Sequence, residues 1–172
     1  MKTPLAPPRA AGRATPRRTR PRAPRDTIVI RRVRLGDLAR IIAIDATVTG
    51  FEKRGYWQSL YRRYGLGGRA ERQFLVAAEG KRVVGFIIGE VRDWEFGSAS
   101  CGWVFAIDVE PSFRRRGIGA RLLKAICAGF GRAGARKVRT MLSRDNTLIL
   151  SFFRSQGMMA GPFIPLEMDL DA

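Results

Sequence analysis

Residues 104–123 read VFAIDVEPSFRRRGIGARLL, and this stretch decides which fold the chain adopts. An apolar run ends at Pro111, three arginines follow, and two glycines open a second apolar pattern with helical spacing. The pattern predicts a buried strand, a basic turn and a helix that begins near Gly117. We therefore expect a sheet with helices packed on it.

The basic turn has the chemistry of an anion site. Gly117 and Gly119 leave backbone NH groups unobstructed at a helix N-terminus, where the helix dipole and unpaired donors favour a phosphate. A P-loop is excluded because no GK[ST] follows the glycines, and a dinucleotide fingerprint is excluded because Leu122 replaces its third glycine. We interpret the turn as a pyrophosphate site; an ordinary strand-to-helix turn beside solvated arginines is the open alternative.

The composition restricts both partners and catalytic groups. The 172 residues carry a formal charge of +17, so the expected partners are anionic. The sequence contains no histidine, which excludes Ser/His/Asp triads, Cys/His dyads and the common zinc motifs. We therefore expect no metal. The two cysteines, Cys101 and Cys127, lie far apart in apolar runs and favour a reducing compartment.

The chain divides into an arm and one domain. Residues 1–25 hold six of the nine prolines and eight of the 32 basic residues, and they predict a disordered arm that can contact a polyanion. Residues 26–172 form the predicted domain, where 24 basic and 15 acidic residues leave a charge of +9. No apolar run is long enough to span a bilayer, so we expect a cytoplasmic protein without membrane contact.

Hydrophobic periodicity from Thr27 onward predicts an α+β domain with a mixed central sheet flanked by helices, in the order β α α β β β α β α β. The last strand is expected at Phe163–Met168, at a sheet edge because Pro165 interrupts it. Such an edge can pair with a second copy, which would give a homodimer. The predicted strands are 27–34, 73–79, 82–91, 101–109, 137–142 and 163–168. The predicted helices are 38–46, 52–64, 117–130 and 146–156, and Gly36 and Asp37 supply the turn and the N-cap of the first.

The motif at 114–119, RRRGIG, with the Val-Glu-Pro strand end before it, resembles the acetyl-CoA-binding signature of the GCN5-related N-acetyltransferase (GNAT) family. Downstream, Asn146 followed by an aromatic pair and Gly157 is similar to the family's second signature, with Met158 where a Phe is usual. The resemblance covers some 140 residues. It implies acetyl-CoA as co-substrate and transfer of an acetyl group to a primary amine.

The resemblance also implies the residues of the carrier site. The main chain of strand four runs beside the pantetheine arm, the turn amides wrap the pyrophosphate, Asn146 contacts the pantetheine or the cofactor carbonyls, and the aromatic pair flanks the thioester. The implied cofactor-binding residues are Ile107, Val109, Arg114, Arg115, Arg116, Gly117, Ile118, Gly119, Ala120, Asn146, Phe152 and Phe153.

In the implied reaction an amine attacks the thioester directly, a strand-four NH stabilises the tetrahedral intermediate, and coenzyme A leaves as thiolate. Many relatives place a tyrosine acid where Phe153 stands here. The loss is tolerable because a thiol with a pKa near 8.5 leaves without full protonation. Tyr56, Tyr61 or Tyr64 could substitute only if the second helix folds over the site.

The base is open among three carboxylates. Two positions where relatives carry a glutamate fall on Trp103 and Met141, which cannot take a proton. Asp108, Glu90 and Glu95 remain, and we expect Asp108 or Glu90 to receive the amine proton, directly or through water. Asp108 is the stronger candidate because a charge inside an apolar run is costly unless it has a role or a partner.

The acceptor is constrained only by charge and proton affinity. A weak base favours an amine of low pKa, and a basic domain suggests an acceptor with anionic character, such as an acidic peptide or an amino acid derivative. The alternative function is a catalytically weak module that senses acetyl-CoA or associates with nucleic acid. The arm separates the two, because only the module requires it.

Overall fold

The computed structural model describes residues 27–170, which form one five-stranded sheet with strands in chain order. The first four strands are antiparallel, and the fifth runs parallel to the fourth. This mixed sheet with flanking helices confirms the predicted α+β class. The strands are β1 (Ile28–Arg32), β2 (Arg72–Glu79), β3 (Arg82–Arg92), β4 (Cys101–Val109) and β5 (Val138–Arg139).

Within residues 27–170, four α-helices cover the two faces of the sheet. Helix α1 ends at Gly50, whose φ of +79° is the left-handed conformation that stops a helix. The helices are α1 (Leu38–Thr49), α2 (Arg54–Leu60), α3 (Ile118–Arg132) and α4 (Thr147–Ser155), and a π turn, Tyr61–Gly65, extends α2. Across residues 27–170, no helix combines the length and apolar character needed to cross a membrane.

Strand alternation divides the apolar residues between two cores. On β3, Phe86 and Ile88 face α1 and α2, whereas Ile87 faces α3 and α4. The first core is centred on Trp57, whose ring lies edge-on to Phe86 with centroids 4.9 Å apart. The second is centred on Phe130 of α3, which is fully buried. The alternation therefore shows to which face of the sheet each side chain points, and this holds for the polar residues of the strands as well.

The strand predicted at Phe163–Met168 is absent, so that prediction was wrong. Residues 156–170 contain no strand and are largely exposed, with Leu166 at 92%. A strand needs a partner edge, and the neighbouring β5 offers only two paired residues. Pro165 also lacks the NH group that a sheet requires. The tail instead touches the domain through the Phe163 ring, which lies 4.5 Å from the Arg139 guanidinium.

Two further predictions differ in detail. The fifth strand was expected over 137–142, but its backbone pairing with β4 covers only Val138 and Arg139, and Thr140 contacts β4 through its hydroxyl instead. Asp37 was expected to cap α1, but its carboxylate accepts a hydrogen bond from the Arg34 NH at 2.7 Å and pairs with Arg31. It therefore closes the short turn before α1. The predicted arm, residues 1–25, lies outside the described residues.

Candidate functional site

Strands β4 and β5 separate after two residue pairs and leave a gap in the sheet. The register between β3 and β4 shifts so that Val104 pairs with Gly89 and Ala106 with Ile88, which leaves Phe105 as a bulge. On the other side, the Thr140 hydroxyl donates to the Val104 carbonyl at 2.8 Å, and the paired residues of β4 and β5 end before this point. The second half of β4 thus borders open space instead of a strand.

A cavity of about 310 Å³ occupies this gap. Its walls come from both faces of the sheet: Tyr56 and Trp57 of α2 lie on one side, and Ile149 and Phe153 of α4 on the other. Because the gap joins the two faces, one ligand can approach from the α4 side and another from the α2 side. Its volume lies at the lower end of the range for ligand sites.

The basic turn opens α3 as the sequence predicted. Gly117 is the N-cap with φ +71°, and a Cβ at this position would meet nothing within 4 Å. The first helical bond is from the Arg121 NH to the Gly117 carbonyl, 3.1 Å. The NH groups of Ile118, Gly119 and Ala120 precede it and have no acceptor within the helix. The turn therefore presents several donors beside open space, which is the arrangement that binds a phosphate.

The three arginines of the turn play different parts. The Arg114 guanidinium donates to the Val109 carbonyl at 3.1 Å, which joins the turn to the end of β4. Arg116 pairs with Glu79 at 3.0 Å and lies over the Phe113 ring, so this guanidinium is already engaged with β2. Arg115 is exposed and has a φ of +61°. Of the three side chains, Arg115 is therefore the freest to contact an anion.

Helix α4 brings part of the second signature to the cavity. The Asn146 Oδ1 accepts from the Ile149 NH at 3.2 Å, a helix cap that leaves the side-chain NH2 group for another partner. Asn146 and the buried Phe153 line the cavity. Phe152 does not; its ring lies 3.1 Å from where a Cβ on Gly119 would be, and it joins α4 to the start of α3.

The two strand residues predicted beside the carrier are also separated. Ile107 lines the cavity, whereas Val109 packs in the core beneath α3 and lies outside the lining. Of the predicted carrier residues, Ile107, Asn146 and Phe153 line the cavity, whereas the turn at 114–120 lies outside its lining.

Asp108 lies in the cavity on the α1/α2 side of the sheet. Its strand partner is Phe86, whose side chain packs against Trp57. Burial, and then the negative charge of Asp45, raise the pKa of Asp108 to about 6, against the opposing effects of Arg114 and Lys53. A carboxylate with this proton affinity is ionised at neutral pH and is a better proton acceptor than an ordinary aspartate.

The other predicted base, Glu90, lies outside the cavity. It accepts a hydrogen bond from the Tyr64 hydroxyl at 3.1 Å and from Arg92 at 3.0 Å, with Arg72 at 4.0 Å. Burial and the charge of Glu90 raise the pKa of Tyr64, which therefore stays protonated as the donor. Glu95 is also outside the cavity and lies 3.8 Å from Arg92. Among the three candidates, the cavity contains only Asp108.

Among the cavity residues that sequence reasoning missed, three surround the predicted base: Asp45, Lys53 and Trp57. Asp45 is 5% exposed and accepts from the Trp57 indole at 2.9 Å and from Lys53 at 3.0 Å. A signal was present, because Asp45 lies four residues after Ile41 and thus on the apolar face of α1. Tyr56 also lines the cavity, so the second helix does bring one of the three tyrosines to the site.

Comparison with known proteins agrees with this geometry. Residues 39–158 match the model of the acetyltransferase (GNAT) family, which is more than two thirds of the chain. The chain belongs to this family. As a family member it is an acetyl-CoA-dependent N-acetyltransferase, and the resemblance drawn from its motifs is confirmed.

A search of curated proteins gives no match. In residues 27–170, no cluster of His, Cys, Asp and Glu is placed to hold a metal ion.

Solved structures share the fold of this N-acetyltransferase at low sequence identity. The aminoglycoside N-acetyltransferase AAC(6')-Iy in complex with CoA has a TM-score of 0.72 and 18% identity, over 83% of this chain and 94% of that chain. A transcriptional regulator from Bacillus halodurans C-125 has a TM-score of 0.71 and 15% identity, over 83% and 99%. The aminoglycoside 6'-N-acetyltransferase AAC(6')-Ih from Acinetobacter baumannii has a TM-score of 0.69 and 14% identity, over 84% and 99%.

Proposed function

We propose that this N-acetyltransferase acetylates a primary amine that reaches Asp108 from the α1/α2 face, while acetyl-CoA enters from the α3/α4 face. The observation that carries the proposal is the cavity in the β4–β5 gap, lined from both faces and containing one candidate base. When bound, acetyl-CoA would supply the thioester carbonyl that the amine attacks. The residues proposed to hold it are the turn amides from Arg114 to Ala120, Ile107, Asn146 and Phe153.

The proposed proton path uses Asp108. The amine arrives as an ammonium, Asp108 removes its proton directly or through water, and the neutral nitrogen forms a bond to the acetyl carbon. The carbon–sulfur bond breaks, coenzyme A leaves with the electron pair as a thiolate, and the second proton of the nitrogen passes to this thiolate or to water, which leaves the neutral amide. A base with a pKa of about 6 deprotonates an α-amine of pKa near 8 more readily than a lysine near 10.4. An acceptor of low pKa is therefore favoured.

The assay that tests the reaction is thiol release from acetyl-CoA with a panel of acceptors. The panel contains α-amino acid derivatives, acidic and neutral peptides, polyamines and aminoglycosides, and mass spectrometry identifies the acetylated atom. We expect release that depends on an added amine, with α-amines above lysine side chains. Binding of acetyl-CoA without turnover on any of these amines would favour the carrier-sensing module instead. Deletion of residues 1–25 should leave turnover unchanged and remove any salt-sensitive binding to a polyanion.

The tail after α4 supports a proposal about assembly. Ile164, Leu166, Met168 and Leu170 are 78–92% exposed and alternate as the apolar side of a strand does. None of the 32 basic residues follows Arg154, whereas Glu167, Asp169 and Asp171 do, so the tail is acidic and the rest of the domain basic. A second copy offers both an open sheet edge beside β5 and the complementary charge. We infer that the tail packs on a second copy to form a homodimer.

Removal of residues 159–172 tests this assembly. We expect the full chain to sediment as a dimer at micromolar concentration and the shortened chain as a monomer, with weaker association of the full chain at high salt because the contact is partly electrostatic. Analytical ultracentrifugation gives the masses. A full chain that is monomeric at about 100 µM, well above the dissociation constant of a stable dimer, or a shortened chain that remains dimeric, contradicts the inference.

A further inference from the structure

The segment that joins α1 to α2 forms the wall of the cavity around Asp108. Asp45 comes from the buried face of α1, Lys53 precedes α2, and Trp57 is one turn into α2. The Asp45 carboxylate receives Lys53 on both oxygens, at 3.0 and 3.1 Å, and the Trp57 indole NH on one, at 2.9 Å. One carboxylate thus fixes a cation and an aromatic ring on the side from which the acceptor is proposed to come.

A buried carboxylate is a costly way to hold two helices together. Asp45 is 5% exposed, and removing a charge from water costs several kcal/mol before its partners offset it. An amide oxygen could accept the Trp57 NH equally well without that cost. The negative charge is therefore required by Lys53 and not by Trp57, and it lies in the same cavity as Asp108.

The charge acts on another group in the same cavity. The charged and titratable groups that face Asp108 are Asp45 from α1, Lys53 before α2, Tyr56 from α2 and Arg114 after β4. Asp45 and Lys53 act on Asp108 with opposite signs; the Asp45 side chain is buried, at 7% exposed, and the Lys53 side chain is partly exposed, at 39%. In such a partly buried setting, fields are screened less than at the surface.

We propose that Asp45, held by Lys53 and Trp57, is a positioning residue of the transfer reaction: its charge keeps Asp108 able to take the proton of the acceptor amine at neutral pH. The inference rests on the proposed role of Asp108 as the base. Lys53 has the opposite effect on Asp108, because its positive charge reduces the negative potential that Asp45 produces there. The α1–α2 segment then sets the proton affinity of Asp108 and also forms the wall of the cavity.

The coupling is measured by titrating the Asp108 carboxyl carbon by ¹³C NMR in the free full-length enzyme, with the signal assigned by its loss in Asp108→Asn. We expect Asp45→Asn to lower the midpoint by about half to one pH unit and Lys53→Met to raise it by a similar amount. Glu52→Gln is the matched control, because Glu52 lies in the same segment, exposed and paired with Arg54, outside the cavity lining. Equal midpoints in all four proteins overturn the proposal.

The catalytic consequence is measured on the acid limb of kcat/KM, with each variant normalised to its own plateau. The acceptor's own ionisation is common to all variants, so differences between them report on the enzyme. At pH 5, relative activity should rise about 2.5- to 5.5-fold in Asp45→Asn, the range for a midpoint lowered from about 6 by half to one pH unit, and fall in Lys53→Met. A shift in the NMR midpoint with an unchanged acid limb overturns the positioning role.

The outcomes separate this inference from the proposed function. If Asp108→Asn retains full turnover, the base assignment fails, whereas the NMR midpoints still report whether Asp45 and Asp108 are coupled. If Asp45→Asn does not fold, Lys53→Met decides the coupling alone, since it leaves the Trp57–Asp45 hydrogen bond intact and keeps most of the side-chain length. A midpoint in Lys53→Met equal to or below that of the unmodified enzyme then overturns the proposal.

Discussion

Replacement of Gly117 by valine is expected to weaken the binding of coenzyme A and acetyl-CoA about 100-fold or more. Gly117 has a φ of +71°, which costs a β-branched residue about 1–3 kcal/mol. The turn relieves that strain by rotating, and the rotation moves the NH groups that open α3. The open space where the valine side chain would lie is also the space proposed for the diphosphate. A loss near 3 kcal/mol corresponds to that factor.

Isothermal calorimetry with both carriers measures the effect, and Gly134→Val is the matched control. Gly134 follows the C-terminus of the same helix, has a φ of +89°, and a Cβ added to it would meet nothing within 4 Å. Its valine variant should lose comparable stability and keep its affinity for the carrier. An affinity of Gly117→Val within about threefold of the unmodified enzyme, a difference well under 1 kcal/mol, would remove the pyrophosphate assignment.

Asp108→Asn should lower kcat/KM about 100- to 1000-fold at pH 7.5, the range for loss of a general base. Asparagine keeps the shape of the side chain and cannot take a proton. The matched control is Glu90→Gln, which makes the same chemical change on the neighbouring strand, outside the cavity, and should stay within about threefold. A larger loss in Glu90→Gln than in Asp108→Asn would reverse the assignment.

Asp108→Asn should also have a larger free energy of unfolding than the unmodified enzyme at neutral pH. The pKa of Asp108 is about 6 in the folded state against an ordinary 3.8, so the folded state binds more protons between these values and loses stability as pH rises through that window. Asparagine removes this loss, and after allowance for solvent screening the gain is about 1–2 kcal/mol at pH 7. Urea denaturation at pH 4 and pH 7 should show a gain only at the higher pH.

The local part of the site was predictable, because it is encoded by neighbours in the chain. The turn at 114–119 follows a strand and opens a helix, and Gly117 adopts the left-handed conformation that a glycine at such a turn permits. The helix predicted over 146–156 is α4, and Asn146 is its N-cap. In both cases the interactions lie within about five residues, the span over which helix caps and tight turns form.

The choice between carboxylates could not be made from the sequence, because it depends on distant partners. Glu90 and Asp108 both end apolar strand patterns, and only packing shows that Tyr64 and Arg92 engage the first while Asp45 and Lys53 face the second. The absence of the predicted last strand could not be foreseen for the same reason, since it also depends on a distant partner. Alternation at 164–170 is a property of the segment, whereas a strand also needs an edge to pair with.

The bulge at Phe105 also changes which side chains of β4 point to each face of the sheet. In a regular strand, residues 104, 106 and 108 would point to one face. With the bulge between them, Val104 packs on the α3 side while Ala106 and Asp108 face the α1 side. Deleting one residue here would turn the carboxylate away from the incoming amine without removing it. The number of residues from Cys101 to Asp108 therefore decides which face of the sheet carries the carboxylate.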